Sequence, residues 1–305
     1  MKDFLKRNKT EIFILLPVLT VCYVLALDNY IGLILCFIVL YAIATSGLDI
    51  LFGYSGQVSF GHAGFFALGA YTTAILTTRL QLPPVIGILA GCVISMFFGI
   101  IVAFPASKLV KHFLALLTIA FGQIVFMFVN STTALTGGAG GIPGIPHLSL
   151  FGLRITRRYN FFLVSAVVLI LVLVIKNRLI HSRTGRALIA IRENVHAAQG
   201  LGINVRNYKD LAFAFCSVMA GLAGALYAHL VRFISPESFN ATQSTFFVTM
   251  LLFGGIGTLA GPIVGALVLI IVREFLQSFS TYQILVYGIF ILIVLFFLPH
   301  GAVGV

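Results

Sequence analysis

The sequence predicts an all-α protein, a polytopic transmembrane helical bundle of about 8–10 membrane helices in which some segments are glycine-broken or re-entrant. Three observations predict it. Hydrophobic residues make up 60% of the 305 and charged residues only 9%, where a soluble domain carries about a quarter charged. The apolar residues fall in long blocks, and roughly 18–25 uncharged residues carry a helix across a bilayer core about 30 Å thick. The short alternating segments of a membrane barrel are absent. No polar stretch is long enough to fold as a soluble unit, so residues 1–305 read as a single transmembrane domain.

The elements follow in order. Lys2, Lys6, Arg7 and Lys9 precede an apolar run over 12–27, read as an uncleaved first helix, with a signal peptide cut after Val24-Leu25-Ala26 as the alternative. Next come a span over 31–52, a glycine-punctuated stretch over 53–61 and a helix over 62–78, which Pro83 and Pro84 end in a turn. Further spans are expected over 85–104, 114–129, 161–175, 211–231, 246–272 and 284–298. The segment 246–272 is long and interrupted by Gly254, Gly255, Gly257, Gly261 and Pro262, so it either crosses once or dips in and returns. Small residues four apart, Gly87, Gly91, Ser95 and Gly99 on one helix and Ala63 and Ala67 on another, form ridges that let helices approach closely.

A net charge of +11 raises the question of nucleic acid, but the position of the charges answers it. Four basic residues cluster at the N-terminus and seven lie between Lys176 and Lys209, both beside apolar segments, as cytoplasmic loops of membrane proteins are marked. The charge therefore reports orientation, and no nucleic-acid partner is expected. With a cytoplasmic N-terminus, six crossings return the chain inside at Lys176, and Lys108 and Lys111 also fall inside. Arg154, Arg157 and Arg158 fall outside, against the rule but outnumbered. Cys22, Cys36, Cys92 and Cys216 lie within apolar segments without CxxC spacing, so neither zinc nor a disulfide framework is indicated.

Residues 51–64 are the most unusual segment, because glycines, Gln57, Ser59 and His62 interrupt an apolar region. Lipid cannot satisfy an opened backbone, so such a segment lines a watery path or is buried in protein. Ser59 is placed to cap the helix starting near Phe60, and the N-terminus of a half-helix suits an anionic substrate group. An interfacial hairpin with a solvated His62 is the alternative. Leu252-Phe253-Gly254-Gly255-Ile256-Gly257 echoes Leu51-Phe52-Gly53-Tyr54-Ser55-Gly56, with Gly265 matching Gly64 at the same offset, the pattern of an internal repeat or of chance in glycine-rich sequence. Gly137-Gly138-Ala139-Gly140-Gly141-Ile142-Pro143-Gly144 lacks the Lys-Ser/Thr of a phosphate loop and reads as a flexible external loop. No Walker motif occurs, so any use of ATP belongs to a partner.

The loop 176–209 holds a short amphipathic helix: Thr184 as N-cap, Leu188, Ile191, Val195 and Ala198 at helical spacing, and Gly200 as the stop. It either rests on lipid headgroups or docks a partner. Asp49 is the acid most plainly inside a span, with Asp28 and Glu274 at span edges. Thr118, Gln123 and Asn130 offer polar side chains to a path or to a neighbouring helix.

The run from Gly53 through Gly61-His62-Ala63-Gly64 to Tyr71 closely resembles the signature of branched-chain amino acid ABC-transporter permeases of the LivM type. Leu116 to Gln123, Thr136-Gly137-Gly138, Thr184-Gly185-Arg186-Ala187, Ala190-Ile191-Arg192-Glu193-Asn194, Leu201-Gly202-Ile203 and the run Gly254 to Pro262 agree in the same order, so the resemblance covers nearly the whole chain. It implies a multi-pass protein of a bacterial inner membrane, a LivH-like second permease, two cytoplasmic ATP-binding subunits and an extracytoplasmic binding protein that delivers leucine, isoleucine or valine. It implies no cofactor or metal in this chain and no catalysis by it. On the same analogy Arg186, Arg192, Glu193, Asn194, Ala198 and Gly200 form the ATPase-coupling segment, where Glu193, Ala197-Ala198 and Gly200 resemble the Glu-Ala-Ala…Gly loop of ABC importers. Gln57, Ser59, His62, Tyr71, Thr118 and Gln123 are the residues expected along the translocation pathway. Related permeases import urea or other amides and acids. A stand-alone secondary transporter would need its own coupling-ion site, and an intramembrane enzyme a nucleophile–base pair or an HExxH, which the seven scattered histidines do not form.

Overall fold

The computed structural model describes Ala26, residues 28–106, 111–150 and 153–277, and the single residues Gly288 and Ala302. The expected spans 12–27 and 284–298, the N-terminal lysines, Cys22 and Lys108 lie outside the described residues. Among the described residues five helices are long and apolar enough to cross a membrane.

Helix α1 (Asn29–Asp49) starts where the Asp28 carboxylate accepts the Tyr30 and Ile31 amides, and it continues into a π-helical turn over Ile50–Tyr54. Irregular residues then lead to α2 (His62–Thr78), which has the expected bounds. Helices α3 (Pro84–Ala106) and α4 (Lys111–Ser131) follow, then a short α5 (Thr133–Thr136) and strands β1 (Ile142–Pro143), β2 (Ser149–Leu150) and β3 (Leu153–Arg154). Helix α6 (Arg158–His181) runs through the cap at Ser182 into α7 (Arg183–Glu193) and α8 (Val195–Gly200). After α9 (Val205–Val231) and β4 (Phe233–Ile234), helices α10 (Ala241–Gly254) and α11 (Gly261–Gln277) complete the described part.

Helices α2, α3 and α9 pack against one another at close range, and their small residues explain why. A Cβ on Gly91 of α3 would stand 2.9 Å from the Gly69 carbonyl of α2, while one on Gly221 of α9 would collide with Ser95 of α3. The expected ridge is therefore the surface on which three backbones meet, and Ser95 Oγ also donates to the Phe65 carbonyl at 3.1 Å. Around it, buried Tyr41, Phe66, Tyr71, Phe239 and Phe247 pack ring against ring.

Two faces can be told apart by contacts. One holds the end of α6, with α7, α8 and the turn after α1, because Arg192 donates to the Gly53 carbonyl. The other holds the α1 start, the α6 start and residues 132–150 and 153–157: Arg158 donates to the Asn29 carbonyl at 2.6 Å, Arg79 to the Ala134 carbonyl at 2.5 Å, and β1 pairs antiparallel with β4 through Ile142 and Ile234. Helix α1 thus runs toward the α7 face and α2 runs back. Helices α10 and α11 do the same, turning at Gly255 (φ 114°) and Gly257 (φ 74°), a backbone region that suits glycine, and returning far enough for Glu274 to accept from Tyr30. Segment 246–272 is therefore a hairpin rather than one crossing. The glycine loop over 137–144 differs from the flexible loop expected: Ile142 and Ile145 are buried, and a Cβ on Gly141 would collide with the Ile234 carbonyl.

Candidate functional site

The first cluster surrounds the break between α1 and α2. Thr118 of α4, fully buried, accepts from the Phe60 amide at 3.0 Å and donates to the Ala115 carbonyl at 2.9 Å. Its backbone also lies so close to Gly61 that a Cβ there would collide with it. The α2 N-terminus is capped at Gly61 with no side-chain bond, which corrects the expectation for Ser59. One residue, Phe60, separates Ser59 from that cap, and the buried Ser59 hydroxyl has no hydrogen-bond partner. Gln57 is buried as well: its amide donates to Ser55 Oγ at 2.8 Å, while its carbonyl oxygen has no partner.

Gln123 is exposed on α4 and lines a cavity of about 110 Å³ with Phe60, Ala63, Phe239, Asn240 and Ser244. The Ala63 amide donates to Ser244 Oγ at 3.0 Å, so α2 and α10 begin side by side at this cavity. Tyr71 lies farther along α2, edge-on to Phe239 at 5.6 Å, with its buried hydroxyl unpartnered. The structure therefore brings Thr118, Gln123 and, through Phe239, Tyr71 to one place. His62 points elsewhere. Its ring is completely buried, 2.8 Å from the Ala44 carbonyl, 3.4 Å from Cys216 Sγ and edge-on to Phe247, so it is a packed wedge between helices and not a solvated interfacial group.

The second cluster is the α7–α8 face. The amphipathic helix exists, but it begins two residues earlier than expected and is broken in two. Ser182, not Thr184, caps α7 by accepting the Thr184 and Gly185 amides at 3.1 and 3.4 Å. Asn194 leaves helical geometry (φ −154°, ψ 112°) and caps α8 by accepting the His196 and Ala197 amides at 2.9 and 3.1 Å. Leu188, Ile191 and Ala198 are buried, the last two in a small cluster with Val205. Arg186, Arg192, Glu193 and Gly200 face out, with Arg186 donating to the His181 carbonyl at 3.2 Å.

Sequence reasoning missed what joins these clusters. Lys176, read as the first residue of a basic loop, is fully buried and pairs with fully buried Asp49 at 2.8 Å. Asp49 Oδ1 accepts the Gly257 amide at 2.7 Å, Lys176 donates to the Thr258 carbonyl at 3.0 Å, and the Tyr54 hydroxyl donates to the Gly257 carbonyl at 2.7 Å. The two echoing L-F-G-x-x-G segments are in contact: a Cβ on Gly53 would stand 2.6 Å from the Gly257 nitrogen. The available signal was a lone acid inside one span and a lysine at the end of another apolar run.

The profile of the family described as "Branched-chain amino acid transport system / permease component" matches residues 30–298. The chain is 33% identical to the high-affinity branched-chain amino acid transport system permease protein LivM of Escherichia coli, over 86% of this chain and 67% of that protein. It is 24% identical to a probable LivM permease of Methanocaldococcus jannaschii, over 90% of this chain and 93% of the relative. It is also 25% identical to the LivH permease protein of Escherichia coli, over 87% and 91%. No solved structure matches.

Proposed function

The chain belongs to the permease family of branched-chain amino acid transport systems, and from that premise we propose that it is the LivM-type membrane subunit of an ATP-driven importer of leucine, isoleucine and valine. The observation that carries the reading is the likeness to LivM over 86% of the chain, beside a family match over residues 30–298 that takes in the broken helix pair α1–α2. Its partners are a LivH-like permease, two cytoplasmic ATPases and a binding protein on the far side. The N-terminus and the α7–α8 face lie in the cytoplasm, in keeping with the basic residues between Lys176 and Lys209.

The chemistry of the first cluster suits such a cargo. An amino acid brings a carboxylate, an ammonium group and, here, a branched apolar side chain. The adjoining N-termini of α2 and α10 offer amides and positive dipole ends to the carboxylate. Phe60 and Phe239 give the side chain apolar contact, and Gln123 and Asn240 offer hydrogen bonds at the same cavity. Gln57, Ser59 and Tyr71, each with an unpartnered buried oxygen, hold acceptors and donors in reserve for a path that opens only during the cycle. On this reading His62 serves the path by holding α2 against α1. ATP-driven closure of the ATPases displaces α7 and α8 and switches access from one face to the other. The work comes from the partners, and this chain supplies the route.

The test is uptake of labelled leucine, isoleucine, valine and urea in cells with and without this chain, with a hydrolysis-deficient ATPase as control. Loss of uptake of the three amino acids in both the deletion and the control supports the reading. Unchanged uptake of the three refutes the assigned cargo.

A further inference from the structure

Buried charge inside a membrane protein is expensive unless paired, and where it occurs it usually marks a working part. Asp49 and Lys176 are such a pair, at 2.8 Å and with neither side chain exposed. Their partners are what set them apart. Asp49 ends α1 and Lys176 sits in the last turns of α6, the helix that continues directly into α7. Both side chains spend their remaining bonds on the α10–α11 turn, Asp49 on the Gly257 amide and Lys176 on the Thr258 carbonyl. Tyr54, in the π-helical turn after α1, holds the same turn through the Gly257 carbonyl. A π-helical turn is a local register fault, and such faults collect at functional places in helices. Arg192 of α7 closes the circuit by donating to the Gly53 carbonyl in that turn, and its stem packs on Gly56.

Resting on the transport reading, we propose that Asp49, Lys176 and Arg192 are positioning residues of a joint that carries the motion of α7 to both glycine turns at once. The wiring follows from the contacts. A displacement of α7 reaches the turn after α1 through Arg192 and reaches the turn before α11 through α6 and Lys176. Because Gly53 and Gly257 touch, neither turn moves without the other. The two hairpins, α1–α2 and α10–α11, carry the helix starts that border the cavity, so a linked shift of their turns changes the cavity from the ATPase side without any contact between ATPase and cargo.

The test uses the complete complex in lipid, with native cysteines replaced and spin labels at Ile256, which is partly exposed on the α10–α11 turn, and at Phe97, exposed on α3. In the unaltered chain, ATP with vanadate is expected to change the label separation. Asp49→Asn with Lys176→Met removes both charges together and leaves no buried ion unpaired; Arg192→Met cuts the surface link alone. The double variant is expected to keep ATP hydrolysis, and both variants are expected to lose the nucleotide-driven change in separation and to lower leucine taken up per ATP hydrolysed at least tenfold. Should the double variant fail to assemble, Arg192→Met decides. Retained motion and unchanged uptake per ATP in either variant overturn the joint. So does loss of ATP hydrolysis in Arg192→Met, which would make Arg192 an ATPase-docking residue, or the absence of any nucleotide-driven change in the unaltered chain. The distance measurement needs no cargo, so a complex that moves but takes up no leucine refutes the assigned substrate and leaves the joint standing.

Discussion

Replacing Lys176 with methionine keeps the length and apolar stem of the side chain and removes only its charge and its bonds. Asp49 is left buried, with one oxygen still accepting the Gly257 amide and the other facing an apolar group where the ammonium stood 2.8 Å away. Breaking a buried pair by removing one partner costs about 3–5 kcal/mol, because the remaining ion is uncompensated. Loss of the bond to the Thr258 carbonyl leaves that acceptor unsatisfied and adds about 1 kcal/mol. The single variant should therefore lose about 4–6 kcal/mol, a large share of the stability of an ordinary domain. Asp49→Asn combined with Lys176→Met has no buried ion left, and neutral replacement of a buried pair is often close to neutral for stability. The double variant should recover most of the loss, with a coupling of at least about 2 kcal/mol in the double-mutant cycle. Unfolding of the purified chain in mixed micelles of increasing SDS content measures all four proteins. If Lys176→Met unfolds within about 1 kcal/mol of the parent, or if the double variant is no better than the single ones, the pair is not the paired buried charge described above.

Other consequences can be checked alongside. Tyr71→Phe removes a buried hydroxyl with no partner, so thermal stability should be unchanged or rise by up to about 1 kcal/mol, while the KM for leucine uptake rises; a fall in stability with unchanged KM would place Tyr71 in the packing alone. Asn194→Ala removes the α8 cap and should destabilise that helix by about 1 kcal/mol, read as faster amide exchange over Val195–Gly200; equal exchange would refute the capping role. Gly224→Ala puts a methyl group against the Phe66 carbonyl and should destabilise the α2–α9 contact by about 1–3 kcal/mol, measured by the same SDS titration. On the face opposite α7, partial burial and then the positive charges of Arg232 and Arg154 hold His147 below the ordinary histidine value of 6.5. The folded state thus disfavours the imidazolium, so this group's contribution to stability is present above the unfolded value and is lost as pH falls from there through the lower folded value. An NMR titration midpoint at or above 6.5 would contradict that.

Much of the fold was legible because the signals were local. The helix over 62–78 was readable to the residue, since the glycine stretch before it and the prolines after it punctuate an uninterrupted apolar run. The ridge from Gly87 to Gly99 announced a close crossing, although only the structure identifies α2 and α9 as the helices it meets. Asn194 illustrates the limit of periodicity: Leu188, Ile191 and Ala198 keep helical spacing across a break, because Asn194 offers its side chain to the next helix and so exchanges one turn for a cap. Lys176 illustrates a deeper limit. In the chain it stands beside Arg178 and looks like one more topogenic charge, yet the carboxylate that neutralises it lies on α1, far away in sequence. The echo between Gly53 and Gly257 was visible as a pattern, whereas their contact depends on two hairpins folding toward the same face. Ser59 failed as a cap for the opposite reason: the rule that names serine is local, but Thr118 on α4 holds the Phe60 amide outside the helix, which starts only at His62 with Gly61 at its cap.

The most direct test of the central claim is reconstitution of this chain with its partner permease, ATPases and binding protein in proteoliposomes, followed by uptake of labelled leucine, isoleucine and valine with ATP supplied on the α7–α8 side. Accumulation of all three that stops when ATP or the binding protein is withheld is the predicted result. Accumulation driven by an ion gradient without ATP, or ATP-driven accumulation of another solute with none of these three, would contradict it.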